Sequence, residues 1–243
     1  MAMLADLHLH SEYSKVAFPY RYEKPLKIIY SLLGIRPFKP PKIGDILKTA
    51  SEVGLKIIAI TDHDQTEGAF KAKRLGDKYR LLVIPGVEIS TKEGHVLGLG
   101  LKKPIFIPQN RKFSIDEALD LIHEQGGIAA AAHPFQYSWL EVSVNRKILY
   151  SKSFEAVETF NASASKKKCR QELKRIAKAL NLGEVGGSDA HTLDFIGCGR
   201  TIFSDKVGNI DDALREIKER KTKTCGRDIS KLMLFKSIKK QNS

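Results

Sequence analysis

LADLHLHS, residues 4–11, decides how this chain is read: apolar and polar residues alternate with a period of two and end on a pair of histidines, His8 and His10. Two residues apart on a strand, both imidazoles face one way and are offered to one ion from a rigid support. Asp6, one step behind, either joins them or orients a ligand histidine by accepting its second N–H. Outward from this stretch, an apolar run beside ionisable residues recurs in KIIAITDHD (56–64), LLVIPGVEIS (81–90), HVLGLGL (95–101), GIAAAAHP (127–134) and EVGGSDAH (184–191). Six of the seven histidines fall in these motifs: His8, His10, His63, His95, His133 and His191, with the acids Glu88 and Asp189 among them.

Between the strand-like runs lie helix-like ones. GDILKTASEVG, EGAFKAKRLGDKY, SIDEALDLIHEQ, SKKKCRQELKRIAKALNLG and NIDDALREIKERK carry the 3.6-residue pattern, and Ser114 with Glu117 forms a capping box. AVETFN and GRTIFS add two further strands. Short apolar strands separated by helices predict parallel βα units, and about eight of them in 243 residues predict a closed or nearly closed α/β barrel. The candidate ligands are expected at the C-terminal ends of the strands, where barrel enzymes carry their sites.

The whole chain, 1–243, is expected to be one domain. Its 41 Lys and Arg against 28 Asp and Glu give a net charge of +13, which favours anionic partners: nucleic acid, phosphorylated small molecules or an acidic surface. A generally basic, solubilising surface would give the same number. The three cysteines, Cys169, Cys198 and Cys225, are widely spaced and argue against a disulfide framework and a zinc ribbon. No run approaches the roughly 18 apolar residues of a membrane span, so a cytoplasmic protein is expected, with no membrane partner. Residues 15–42 stand apart, with five prolines, five aromatics and seven Lys or Arg against one Glu. They read as an insertion over the barrel end, either a lid or a strip where aromatics and cations meet a nucleic-acid strand. The basic tail from about Arg227 is expected to be loosely ordered.

Imidazoles and carboxylates gathered at consecutive strand ends are what a site for two or three transition-metal ions requires. In TDHD, three ionisable residues emerge together and call for a metal or a hydrogen-bonded network. A carboxylate has two oxygens, so Glu88 suits bridging two ions. Pro134 stops the strand behind His133, and Asp189 with His191 repeats the i, i+2 spacing after glycines that admit neighbouring backbone. His123, inside an amphipathic helix, reads as a surface or structural residue.

DLHLHS, ITDHD, GVEIS, GHVLGLG, AAHP and SDAH, in this order over roughly residues 4–204, resemble the PHP (polymerase and histidinol phosphatase) family. The resemblance implies a distorted (β/α)7 barrel that hydrolyses phosphoesters with two or three Zn, Mn or Fe ions. It assigns His8, His10, Glu88 and Asp189 to a first ion, Glu88, His95 and His133 to a second, and His63 and His191 to a third position. The chain departs from the family where HS-x-x-SDG is usual: it reads HSEYSKV, so Lys15 replaces a carboxylate ligand. A charged lysine cannot ligate; either Lys15 receives substrate phosphate in place of the third ion, or a residue of the insertion substitutes. Arg200 and Lys15 are the candidate phosphate clamps, and Asp62, Asp64 or a histidine the candidate proton donor to the leaving alkoxide. The expected activity is metal-dependent hydrolysis of a phosphomonoester, a nucleotide or a nucleic acid. The alternative is a non-catalytic nucleic-acid-binding or assembly subunit with a relict metal site.

Overall fold

Each apolar run becomes a strand. The computed structural model describes residues 2–14, 40–108, 111–135, 143–163 and 167–230, with 233 and 237. The strands are β1 (Met3–Leu9), β2 (Ile57–Ile60), β3 (Leu82–Thr91), β4 (Gly94–Leu99), β5 (Ile128–Ala131), β6 (Ala156–Asn161), β7 (Gly183–Gly187), β8 (Gly199–Phe203) and β9 (Lys223–Gly226). The helices are α1 (Ile43–Glu52), α2 (Glu67–Leu75), α3 (Ile115–His123), α4 (Arg146–Ser151), α5 (Lys167–Ala179) and α6 (Ile210–Lys218). The capping box opens α3 as expected: Ser114 accepts from Glu117 N–H, and Glu117 accepts from Ser114 N–H. Lys15 and residues 16–39 of the insertion lie outside the described residues.

The strands follow the order β7-β6-β5-β4-β3-β2-β1-β8-β9. Just beyond β7 the sheet curls back on itself. Leu9 bridges Ala190 in parallel, Asp189 N–H donates to His8 C=O at 2.9 Å, and His10 N–H donates to Ala190 C=O at 3.1 Å. β1 thus pairs with β8 along its first residues and with the end of β7 at its last, giving a nearly closed, distorted barrel. Gly187 makes this approach possible, because a Cβ there would overlap the Cβ of His8. The barrel interior is filled by residues from β1 to β8, including Ala5, Leu7, Ile57, Ile84, Leu97 and Ala130, with Leu214 and Ile217 of α6 packed against it.

The expectation of parallel units throughout is corrected at three strands. β4 is antiparallel to β3 and β5, β8 to β1, and β9 to β8. For the β3–β4 hairpin the reason is connection length: Lys92 and Glu93 alone separate the two strands, and a parallel crossover needs a dozen or more residues. Two ligand placements change with it. His95 stands at the start of β4, paired with Ser90, and Glu88 lies inside β3 rather than at its end. The hairpin still delivers both to the barrel mouth. Of the tail, residues 231–232, 234–236 and 238–243 lie outside the described residues, and the described ones are tied to the barrel. Arg227 N–H donates to Cys198 C=O at 2.8 Å, and the buried Ser237 hydroxyl donates to Asp194 at 2.8 Å.

Candidate metal centre

At the mouth, five imidazoles form a closed ring around one carboxylate. Ring centroids are separated by 5.1 Å from His8 to His10, 4.6 Å on to His63, 5.5 Å to His95, 5.2 Å to His133 and 5.7 Å back to His8. His191 stacks on His10 at 4.2 Å. Glu88 sits in the middle, and its two oxygens divide the ring. Oε1 lies 2.8 Å from His95 Nδ1 and 2.9 Å from His133 Nε2. Oε2 lies 3.1 Å from His8 Nε2, 3.2 Å from His10 Nε2 and 3.3 Å from His63 Nδ1. Asp189 Oδ1 adds a second acid, 3.2 Å from His10 Nε2 and 3.6 Å from His8 Nε2.

A shift of strand register places the first two histidines. Between Asp6 and Leu9, β1 spends three residues against two of β2, so the alternation is broken there. Ala5 and Leu7 face the barrel interior, and the bulge turns His8 inward as well. Asp6 is left on the other side, so it does not orient an imidazole. Its carboxylate accepts from Ser188 N–H at 2.9 Å, Ser188 O–H at 2.6 Å and Gly197 N–H at 2.8 Å, fastening β1 to the end of β7 and the turn before β8. Burial pushes its carboxyl up to about 6 despite these bonds.

The orienting carboxylate is Glu158, a residue the sequence reading passed over inside AVETFN. Fully buried on β6, its Oε1 lies 3.0 Å from His8 Nδ1, and its Oε2 accepts from His133 N–H at 2.7 Å and from Asn161 Nδ2 at 3.1 Å. Asn161 reaches on to Asp189 Oδ2 at 3.3 Å. A glutamate in an otherwise apolar or neutral strand was the available signal. His10 is turned in a similar way by the Ser14 hydroxyl, 3.1 Å from its Nδ1. His133 and Asp189 hold positive φ of 28° and 54°, a strained backbone that the surrounding contacts must maintain.

The protonation pattern is that of a site suited to a cation. Burial drives the Glu88 carboxyl up, but the imidazoles of His63, His8 and His95 hold it well below the usual carboxylate range. Burial pulls His10 and His133 down, yet facing carboxylates, Asp189 and Glu88 for His10 and Glu88 first for His133, lift both to about 9. Burial keeps His63 well below the ordinary imidazole value and His191 down to about 4. His10 Nε2, His63 Nδ1 and His133 Nδ1 are buried with no hydrogen-bond partner among the described residues. The first two stand near carboxylate oxygens but off the hydrogen-bond direction, which suits nitrogens aimed at a shared ion. The ligand atoms of His8, His10 and Asp189, of His8, Glu88 and His133, of His63, Glu88 and His95, and of His10, His63 and His191 converge within 4.8 Å. Imidazoles and carboxylates in this mixture fit divalent metal ions.

The remaining sequence candidates lie around this centre. Asp62 is buried and committed: both oxygens are held at 2.6 Å by the Ser11 N–H and hydroxyl. Asp64 is partly exposed, with φ 58° and Oδ1 accepting from Ser90 N–H at 2.8 Å. Arg200 Nε donates to Gly197 C=O at 2.6 Å, and its neighbours Gly199 and Thr201 face β7, which turns the guanidinium away from the ring. His123, at the end of α3, is partly exposed and lies 3.0 Å from the Glu155 carboxylate, outside the ring. The centre is open on the side of His191, whose side chain is 38% exposed. Among the described residues no helix is long and apolar enough to cross a membrane.

Comparison with known proteins places this geometry. The family model described as PHP-associated matches residues 170–222. An uncharacterised protein of Methanocaldococcus jannaschii is 34% identical over 166 residues, covering 66% of this chain and 82% of that one. The phosphoribosyl 1,2-cyclic phosphate 1,2-diphosphodiesterase of Eggerthella lenta is 28% identical over 107 residues, covering 42% of this chain and 32% of that enzyme. Among solved structures, a two-domain protein of Bacteroides vulgatus containing a predicted PHP-like metal-dependent phosphoesterase superimposes with a TM-score of 0.67 at 16% identity, covering 99% of this chain and 70% of that one.

Proposed function

We propose that this chain, which belongs to the PHP (polymerase and histidinol phosphatase) family of metal-dependent phosphoesterases, cleaves phosphate esters of nucleotides or nucleic acid at the barrel mouth. The observation that carries the reading is Glu88, whose two oxygens face different sets of imidazoles. His8, His10, Glu88 and Asp189 would hold a first ion and Glu88, His95 and His133 a second; His63 and His191 mark the third position, where Lys15 would take substrate phosphate in place of an ion. Bound there, divalent ions supply Lewis-acid polarisation of the phosphoryl oxygens and a water acidic enough to ionise near neutral pH.

The chain's own residues do the rest. Glu158 and Ser14 fix the ring orientation of His8 and His10, so each presents Nε2 to the shared carboxylates. Of the two acids expected to protonate the leaving alkoxide, Asp64 fits the role. Asp62 is tied to Ser11, whereas Asp64 is partly exposed, lies beside the His63 motif, and has its carboxyl raised by burial. We assign phosphate capture to Lys15, which stands where the family usually has a ligand carboxylate. Lys15→Ala is then expected to raise KM or lower kcat without releasing metal. A net charge of +13 supports a polyanionic or nucleotide substrate over a neutral one.

The test is hydrolysis of p-nitrophenyl phosphate, its bis ester, cyclic nucleotides and oligonucleotides by protein stripped with chelator and reloaded with Mn²⁺ or Zn²⁺, with metal content measured in parallel. Protein that retains about two ions and cleaves none of these esters would favour the binding-subunit alternative.

A further inference from the structure

The positive charge of this chain is concentrated on one flank of the barrel. α4 and α5 together carry eight Lys or Arg (Arg146 and Lys147 on α4, the rest on α5) against one acid, Glu172. These two helices thus hold more than half of the net +13. The arrangement within them is not that of a merely solubilising face. α5 buries Leu173, Ile176 and Ala177 against the sheet and turns Lys167, Lys168, Lys174, Arg175 and Lys178 to solvent. Between the helices runs a groove of about 460 Å³, lined by Arg146, Tyr150, Lys168, Arg175 and the aliphatic Ile176. Tyr150 is 54% exposed there, one of three large hydrophobic or aromatic side chains exposed among the described residues. Glu172, the sole acid, is spent in an ion pair with Arg146.

The two helices that form the groove start near the barrel mouth. Ser143, just before α4, hydrogen-bonds the His133 carbonyl through its hydroxyl at 3.4 Å. Ser163, just before α5, donates its hydroxyl to the Ser188 carbonyl at 2.9 Å, next to Asp189. Both helices therefore start beside ligand candidates on opposite sides of the Glu158 strand and descend the outside of the barrel. The 13 residues of α5 extend about 20 Å from the mouth.

We propose that the α4–α5 groove binds the sugar–phosphate chain of a single-stranded nucleic acid and leads it to the barrel mouth. Lys168 and Arg175 contact phosphates, and Tyr150 offers a face on which a base stacks. Cations tracking a backbone around an exposed aromatic are the recognised chemistry of single-strand binding, and stacking asks for unpaired bases. The proposal rests on the phosphoesterase reading for what happens at the mouth, but the binding step does not need the metal.

The experiment separates the two. Binding of a fluorescent single-stranded oligonucleotide to the full chain is followed by anisotropy in chelator, where no hydrolysis occurs, for the wild type, K168E/R175E and Tyr150→Ala. Wild-type affinity should fall with salt, with a log–log slope of about 1.4 for the two phosphate contacts. The double reversal should weaken binding by at least about tenfold and flatten the salt dependence, and Tyr150→Ala should weaken it by about five- to tenfold with the slope unchanged. Both variants should keep wild-type turnover of p-nitrophenyl phosphate when metal-loaded, which also reports intact folding. An unaltered oligonucleotide affinity in the double reversal overturns the proposal, as does binding to anionic phosphatidylglycerol vesicles with none to the oligonucleotide. Oligonucleotide binding that depends on the groove, in a protein that hydrolyses no ester, would sustain this inference while overturning the proposed activity.

Discussion

Buried carboxylates occur in two settings at the top of this barrel, and the contrast between them separates chemistry from architecture. At the centre, Glu88 is surrounded by side-chain nitrogens of five histidines, His8 on β1, His95 on β4, and His10, His63 and His133 just after β1, β2 and β5. At the rim, Asp6 and Asp62 are as thoroughly buried, yet their partners are backbone N–H groups and serine hydroxyls. Amides and hydroxyls satisfy an acid permanently. Crowded imidazoles do not, because each neighbour that takes a proton repels the next, and the arrangement is relieved by a multivalent cation shared among them. Burial alone therefore marks neither role; the identity of the partners does.

The contrast breaks most decisively at its centre. Glu88→Gln keeps the shape but loses the charge, and should lower kcat/KM by roughly a thousandfold or more, about 4 kcal/mol, while bound metal falls and circular dichroism stays unchanged. Unchanged metal stoichiometry would remove the bridging role. At the rim the loss should appear in stability instead. Asp6→Ala orphans the Ser188 and Gly197 donors and should cost about 3 kcal/mol, or roughly 6–12 °C in Tm, while protein that remains folded keeps its metal. A variant that kept its Tm and lost metal would make Asp6 part of the centre after all.

Glu158 lies between the two settings, since it accepts from backbone and also turns a ligand histidine. Glu158→Gln should weaken metal binding about 10- to 100-fold, read by competition with a chromogenic chelator, with a smaller change in Tm. An unaltered metal affinity would reclassify it with Asp6. The smallest effect belongs to His123, held by Glu155 on the flank of α3: His123→Ala should stay within about twofold of wild-type activity. A large loss there would show that the ring is not the whole centre.

The sequence made the ring of histidines legible because each sits where an apolar run meets polar residues, and such a position on a barrel strand has few uses other than a shared site. The strand directions were less legible. Apolar content reports burial and not direction, and only the two-residue connection Lys92–Glu93 betrayed the hairpin. Asp6 was misread because period-two logic assumes unbroken pleating, and the bulge between Asp6 and Leu9 leaves no mark in composition. Glu158 was missed for the opposite reason: its motif contains no histidine, so nothing drew the eye to a lone acid in AVETFN. The net charge of +13 was visible, but its concentration on α4 and α5 required the fold.

The bridge between Leu9 and Ala190 carries one more consequence. It is the seam at which the first strand meets the seventh, and His8, His10 and Asp189 stand on its two lips, separated by about 180 residues of chain and by 3.2–3.6 Å of space. An ion gripped by these three would act as a clasp on the seam. Its binding energy would be available only to a chain whose two ends have already found each other, so loading with metal and completing the fold would become the same event, and scarcity of metal would be felt first as a barrel that opens.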